Sequence, residues 1–118
     1  MDRALLSAIA SPRRCEILRL LWDAERSVGE IHRQMPDVTL GAISLQLKTL
    51  AGAGLVSARA DQQQRMYRVC RDRAEPVAAM LERMWDDALW QLKLAAELEE
   101  TRRGPQPRRR RQERKGRR

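Results

Sequence analysis

The chain has 118 residues, of which 42% are hydrophobic and only 3% aromatic, enough for one domain with an aliphatic core. No apolar run approaches the roughly 18 residues that a membrane helix needs, and the first residues lack a secretory pattern. We therefore expect a cytoplasmic protein with no membrane partner. Its two cysteines, Cys15 and Cys70, are too few for the disulfide framework of a small secreted domain.

The net charge of +8 is unevenly distributed along the chain. Residues 102–118 contain ten Lys/Arg and one Glu, whereas residues 1–101 contain fourteen Lys/Arg and fifteen Asp/Glu. We therefore predict a folded domain over 1–101 and a disordered Arg-rich tail over 102–118. Such a tail attracts phosphates, so the charge indicates a nucleic acid as the partner.

The first part of the chain predicts three helices. A short helix covers about residues 2–10. Ser11 and Pro12 provide a cap and a first helical residue for a second helix, which runs to about residue 24. Ser27 and Glu30 have the spacing of a capping box, which predicts a third helix from there to about residue 34.

The stretch from Thr39 to Gly54 predicts a fourth helix over 40–53, because Thr39 is a suitable N-cap and Gly54 suits the end of a helix. Ile43, Leu47 and Leu50 recur at i, i+4 and i+7, so they form one apolar stripe. Another face is mostly small or polar, with one cation. A helix of this kind, preceded by a short turn and another helix, fits the major groove of DNA.

After this helix the pattern changes to strands. Residues 55–59 and 65–69 are short strand-like runs separated by ADQQQ, which predicts a β-hairpin whose Tyr67 and Val69 face inward. Asp72 and Glu75 resemble a capping box, from which a single last helix is predicted to about residue 101. The apolar stripe of this helix is wider than a lone protomer of this size would cover.

The predicted fold is mainly α with a small β-hairpin (α+β): a winged helix-turn-helix in the order helix, helix, helix-turn-helix, hairpin, helix. Four stretches resemble, in order and spacing, the ArsR-type (arsenic-repressor-like) bacterial transcription regulators. They are AIASPRRCEILRLL (8–21), SVGEIHRQM (27–35), AISLQLKTLAGAGLV (42–56) and RMYRV (65–69). The resemblance covers about residues 4–70, and the long last helix is similar to that of family members without a metal site.

The resemblance implies a homodimeric regulator that binds a near-palindromic operator in double-stranded DNA, usually to block transcription. Each protomer would present its recognition helix, 40–53, and its hairpin wing to one half of the operator. The first and last helices would form the dimer interface, through Leu5, Leu6, Val77, Leu81, Met84, Trp85, Ala88 and Leu92.

The predicted DNA contacts lie on the recognition helix and the wing. Ser44 and Gln46 can hydrogen-bond base edges or phosphates, and basic side chains suit phosphates. Leu45 replaces the polar residue, often His, that is common there in the family, so it either meets a thymine methyl or packs the turn. The full set is Thr39, Leu40, Gly41, Ser44, Leu45, Gln46 and Lys48 on the helix, and Arg59, Gln63, Arg65 and Arg68 on the wing.

Other functional classes find little support in the residues. His32 is the single histidine, the third helix has no cysteine, and residues 74–101 contain neither His nor Cys, so we expect no metal. Without a glycine-rich phosphate loop or a nucleophile–base pattern, we expect neither a cofactor nor an enzyme. Three alternatives remain: a charge-driven nucleic-acid-binding protein that uses the tail, a thiol-responsive regulator through Cys15 and Cys70, and a domain that recruits a protein partner.

Overall fold

The structure is a computed structural model that describes residues 2–103, so the predicted tail lies outside the described residues from residue 104 onward. The predicted winged helix-turn-helix is confirmed, with α3 (Val28–Gln34) and α4 (Leu40–Gly52) as the helix-turn-helix and β2 (Val56–Asp61) and β3 (Gln64–Val69) as the wing. In chain order the elements are α1 (Arg3–Ala8), α2 (Pro12–Leu21), β1 (Arg26–Ser27), α3 (Val28–Gln34), α4 (Leu40–Gly52), β2 (Val56–Asp61), β3 (Gln64–Val69), α5 (Arg71–Trp85) and α6 (Ala88–Arg103).

Capping side chains start three helices where the sequence predicts. The N–H of Glu30 donates to Ser27 Oγ at 3.2 Å, and the N–H of Ser27 donates to Glu30 Oε1 at 2.8 Å, which completes the capping box of α3. Thr39 Oγ1 accepts from the N–H of Ala42 at 3.1 Å and caps α4. Ser11 caps α2 in the same way.

Gly54 ends α4 in the left-handed conformation, as predicted. Its φ is +79°, and its N–H donates to the carbonyl of Ala51 at 2.9 Å. The next N–H, that of Leu55, donates back to the carbonyl of Leu50 at 2.9 Å. Because a Cβ disfavours this conformation, glycine allows the chain to leave the helix here and enter β2.

Two helix boundaries differ from the prediction. α2 ends at Leu21 rather than near residue 24. The expected capping box of Asp72 and Glu75 is wrong, because α5 already begins at Arg71. Its N-cap residue is Cys70, which makes no side-chain hydrogen bond to the first turn.

The predicted single last helix is also wrong, because it is broken after Trp85 into α5 and α6. Asp87 caps the second of these helices: its Oδ1 accepts from the N–H of Leu89 at 2.7 Å. The side-chain Nε2 of Gln91 donates to the carbonyl of Trp85 at 2.8 Å, so this carbonyl at the end of α5 has a hydrogen-bond partner on α6. The two helices can therefore take different directions.

The sheet is antiparallel, with strand order β1-β3-β2. The short β1 was not predicted; its Arg26 lies opposite Tyr67 of β3. The wing turn is shorter than the predicted loop, since strand pairing continues to the ends of β2 and β3 and leaves only Gln62 and Gln63 between them. Gln62 has a φ of 59°, which is the left-handed region that favours glycine.

The core is built around α2, which packs against both α4 and α6. As predicted, Tyr67 packs against the core and Val69 is buried. At the α5 end, the rings of Trp22 and Trp85 meet edge to face with their centroids 5.0 Å apart. Among residues 2–103, no helix combines the length and apolarity needed to cross a lipid bilayer.

Replacing Gly54 with alanine is expected to lower the free energy of unfolding by about 1 kcal/mol, because the added Cβ opposes a positive φ. Gly52 provides a matched control, since it is helical and an added Cβ would meet no atom within 4 Å. Gly52→Ala should raise the free energy of unfolding by up to about 1 kcal/mol. Urea denaturation measures the free energy of unfolding of both variants. If both substitutions changed it in the same direction, the positive φ of Gly54 would not be the reason for its effect.

Candidate nucleic-acid interface

The recognition helix α4 has one buried face and one exposed face. Ile43, Leu47 and Leu50 have 0% of their surface exposed, which fixes how the helix is rotated about its axis. Leu45 is 64% exposed. Of its two predicted roles, packing of the turn is therefore wrong. The other predicted contacts that are exposed on this helix and its cap are Thr39, Leu40, Gly41, Ser44 and Lys48.

The turn between α3 and α4 is held by its own apolar side chains. Met35 and Val38 are buried, with 2% and 1% of their surface exposed. The N–H of Val38 donates to the carbonyl of Met35 at 3.0 Å, which closes the turn. The angle between the two helices is therefore set by core packing, as a helix-turn-helix requires.

Gln46 differs from the other predicted contacts, because it is half-buried and bonded to another helix. Its Oε1 accepts from Nη1 of Arg14, on α2, at 2.9 Å. The same guanidinium donates from Nε to the carbonyl of Ala8 at 2.6 Å and from Nη2 to that of Ser7 at 3.2 Å. Arg14 thus joins the end of α1 to the recognition helix, a role that sequence reasoning missed.

The bond to Arg14 restricts what Gln46 can offer to DNA. A guanidinium has donors only, so the amide atom that faces it is the oxygen. The amide nitrogen, with two N–H donors, remains for a further acceptor. Gln46 in this position suits a phosphate or an acceptor on a base edge, and it does not suit the two-way pairing with adenine that uses both amide atoms.

The wing divides its arginines between two faces of the sheet. Arg65 has the same parity along β3 as Tyr67 and is exposed near the tip. Arg68 lies on the opposite face of β3 and pairs in register with Ser57, to whose Oγ its Nε donates at 3.4 Å. The predicted set of wing contacts is therefore not a single cluster. Gln63 is exposed in the turn.

Arg59, also on the wing, is already paired with a carboxylate. Its Nη2 donates to Oε1 of Glu25 at 2.8 Å and its Nε donates to Oε2 at 3.1 Å. These hydrogen bonds hold the pKa of Glu25 below its ordinary value, and the charge of Arg68 adds to the effect. A phosphate must therefore compete with Glu25 for Arg59. Sequence reasoning missed Glu25, because the pairing depends on β1, which is too short to predict.

The predicted dimer contacts require a correction. Four of them are core residues of the single chain: Leu5 and Val77 are 1% exposed, Leu81 is 0% exposed and Trp85 is 9% exposed. They have almost no surface left for a partner, because α1 and α5 pack on the rest of the chain. Met84 is half-buried. The members that stay exposed are Leu6, Ala88 and Leu92; Leu89, which was not among the predicted contacts, is 75% exposed.

The two cysteines have different surroundings. Cys15 is buried in α2 and its Sγ donates to the carbonyl of Ile9 at 3.1 Å. Burial raises the pKa of the Cys15 thiol to about 11. Because the thiolate is the reactive form, this cysteine is not prepared for redox chemistry near neutral pH. Cys70 is partly exposed before α5.

His32 is half-buried on α3. Among the described residues, it does not belong to a cluster of side chains that could bind a metal ion. Within the described part of the chain, no group of three or more His, Cys, Asp or Glu side chains is arranged to hold a metal ion.

Comparisons with known proteins agree with this geometry. Residues 9–58 match a family model described as a helix-turn-helix domain. The transcriptional activator HlyU of Vibrio cholerae is 33% identical over 84 residues, which are 71% of this chain and 77% of that protein. The biofilm growth-associated repressor of Agrobacterium fabrum is 36% identical over 70 residues, 59% of each chain.

A solved structure extends the similarity to the fold. It is the homodimeric winged helix-turn-helix DNA-binding domain of a possible ArsR-family regulator from Mycobacterium bovis, determined by NMR. The TM-score is 0.62 at 30% identity, with 73% of this chain and 79% of that chain covered. The fold and the exposed α4 face define a DNA-binding winged helix-turn-helix protein. Within that class, the chain belongs to the ArsR family of transcriptional regulators.

Alkylation of the folded protein with iodoacetamide at pH 8 is expected to modify Cys70 well before Cys15. The reason is that Cys15 is covered and remains protonated until the pH approaches its pKa of about 11. Mass spectrometry of peptides after timed quenching measures the two rates. In urea both thiols should react alike, and equally fast labelling of Cys15 in the folded protein would restore the thiol-responsive alternative.

Proposed function

We propose that this regulator binds an operator in double-stranded DNA as a homodimer and represses the promoter that contains it. The observation that carries the proposal is the exposed face of α4, whose rotation is fixed by the complete burial of Ile43, Leu47 and Leu50. The exposed residues of α4 are mostly small or polar, with one cation, Lys48, and two leucines, Leu40 and Leu45. Such a surface can enter the major groove without steric conflict.

In this proposal the residues of α4 have distinct tasks. Ser44 hydrogen-bonds a base edge or a phosphate, and Lys48 binds a phosphate. Thr39, Leu40 and Gly41 lie at the start of the helix, which is the end that meets base edges in helix-turn-helix proteins. Gln46, held by Arg14, donates to a phosphate or a base acceptor at the side of the helix.

The wing supplies backbone contacts in this proposal. Arg65 and Gln63 are exposed near its tip and can reach phosphates beside the groove. Arg59 and Arg68 do so from the other face, where Glu25 reduces their net attraction for DNA. Affinity that depends on salt should therefore arise largely from Lys48, Arg65 and the arginines of residues 102–118.

The homodimer is supported by the apolar surface of α6. Leu89 and Leu92 are 75% and 69% exposed, three residues apart on one face, while Trp90 and Leu94 on the other face are buried. A second copy of the chain would cover these leucines. The related Mycobacterium bovis domain is homodimeric. Two-fold symmetry would separate the recognition helices by about 34 Å, one turn of B-DNA.

The proposed operator binding is tested by fluorescence anisotropy with DNA from upstream of the protein's own gene and with scrambled DNA, at near-physiological salt. We expect a preference of about a thousandfold for the upstream DNA, the lower limit for specific regulators. Lys48→Ala should weaken both affinities and reduce the slope of log K against log salt by about 0.9 per protomer.

Lys93→Ala, which removes the same charge from the exposed part of α6, is the matched control and should leave that slope unchanged. Equal affinity for both DNAs would support the charge-driven alternative, in which the basic tail binds any nucleic acid.

The proposed interface is tested by replacing Leu89 and Leu92 together with serine. The double variant should sediment as a monomer, because the exposed apolar surface that drives association is lost. Leu45→Ser makes the same change on α4 and should leave the dimer intact. Sedimentation velocity separates the two species, and a dimer that survives the double substitution would refute this interface.

A further inference from the structure

The outermost ridge of α4 contains a single large apolar side chain. Gly41, Leu45, Lys48 and Gly52 recur at i, i+4, i+7 and i+11, so they form one stripe on the helix, opposite the buried stripe. At both Gly41 and Gly52, an added Cβ would meet no atom within 4 Å. No side chain of residues 2–103 therefore covers the helix backbone at Gly41, one turn before Leu45, or at Gly52, about two turns after it.

Leu45 is not placed there by the needs of the fold. It is 64% exposed, and its neighbours Ile43 and Leu47 already complete the packing of α4 with 0% exposure each. Removing this apolar side chain from water against a complementary apolar group would be favourable. Leu45 is flanked by Ser44 and Lys48, which suit DNA, so the partner that fits the ridge is the floor of the major groove.

Only one group on that floor matches a leucine. The major-groove edges of adenine, guanine and cytosine present donors and acceptors, and leucine would remove these from water without replacing their hydrogen bonds. Thymine also presents its C5 methyl group, which is apolar. The two glycines allow the backbone to approach closely enough for a short branched side chain to reach this methyl.

We infer that Leu45 selects a pyrimidine with a C5 methyl group, normally thymine, at one position in each operator half-site. The inference rests on the proposed operator binding and adds the base class that the helix selects. Because 5-methylcytosine has the same methyl at the same ring position, the selectivity extends to a methylated cytosine in place of that thymine. Unmethylated cytosine and uracil are disfavoured there.

The experiment starts from the best-bound sequence selected from a random DNA library by the full-length protein. Each thymine is then replaced, symmetrically in both half-sites, by 2′-deoxyuridine, which differs only in the missing methyl. One position should stand out, with a loss of about fourfold per half-site, or about fifteenfold for the dimer, the value of one buried methyl group. At that position, 5-methylcytosine paired with guanine should bind more tightly than cytosine.

Leu45→Ala should abolish the difference between thymine and deoxyuridine, while Ser44 and Lys48 keep part of the sequence preference. Met80→Ala removes another exposed apolar side chain, on α5, and should preserve the difference. Circular dichroism verifies that both variants fold.

The outcomes separate the inference from the proposed function. A selected operator with no methyl-sensitive position overturns the inference and leaves operator binding intact, as does a methyl effect that persists in Leu45→Ala. Failure of the library to yield any preferred sequence overturns both. In that case binding of the Leu45 ridge to a protein partner becomes the better explanation.

Discussion

The burial of Ile43, Leu47 and Leu50 determines what the rest of this molecule presents to a partner. Each fully buried aliphatic side chain contributes about 1.5–3 kcal/mol, whereas an exposed ion pair contributes about 0–1 kcal/mol. The rotation of α4 is therefore decided by its core stripe and not by the charges around it. Gly41, Leu45 and Lys48 face outward as a consequence, so the chemistry of the exposed ridge follows from the packing beneath it.

Positive charge and apolar surface are arranged on different parts of the fold. The exposed ridge of α4 has one cation, while the wing arginines lie on both faces of the sheet and one of them is held by Glu25. The described part of the chain therefore presents a shaped surface with a few separate cations and not a broad positive surface. Positive charge is instead concentrated in residues 102–118, which contain ten of the 24 Lys and Arg residues.

Features set by neighbouring residues could be predicted from the sequence, and features set by distant contacts could not. The Thr39 cap, the capping box at Ser27 and the left-handed Gly54 depend on a few consecutive residues. The break before Asp87 was missed because the apolar repeat continues across it, although an aspartate at an N-cap is its local signal.

The same distinction applies to the candidate site. The exposed positions of α4 follow from helical periodicity and were predicted. The partners that modify them were not, because Arg14 lies 32 residues from Gln46 and Glu25 lies 34 residues from Arg59. The buried state of Leu5 and Leu81 was likewise missed, since an apolar stripe does not reveal whether the same chain or a second one covers it.

Two consecutive arginines at the start of α2 bond to two different helices. Arg13 donates from Nη2 to the carbonyl of Glu97 on α6 at 3.3 Å, and Arg14 donates to Gln46 on α4. A single peptide unit thus separates the attachment of α6, whose other face has the exposed leucines, from the attachment of the recognition helix. α2 is therefore the element that positions the apolar surface of α6 and the outward face of α4 relative to each other.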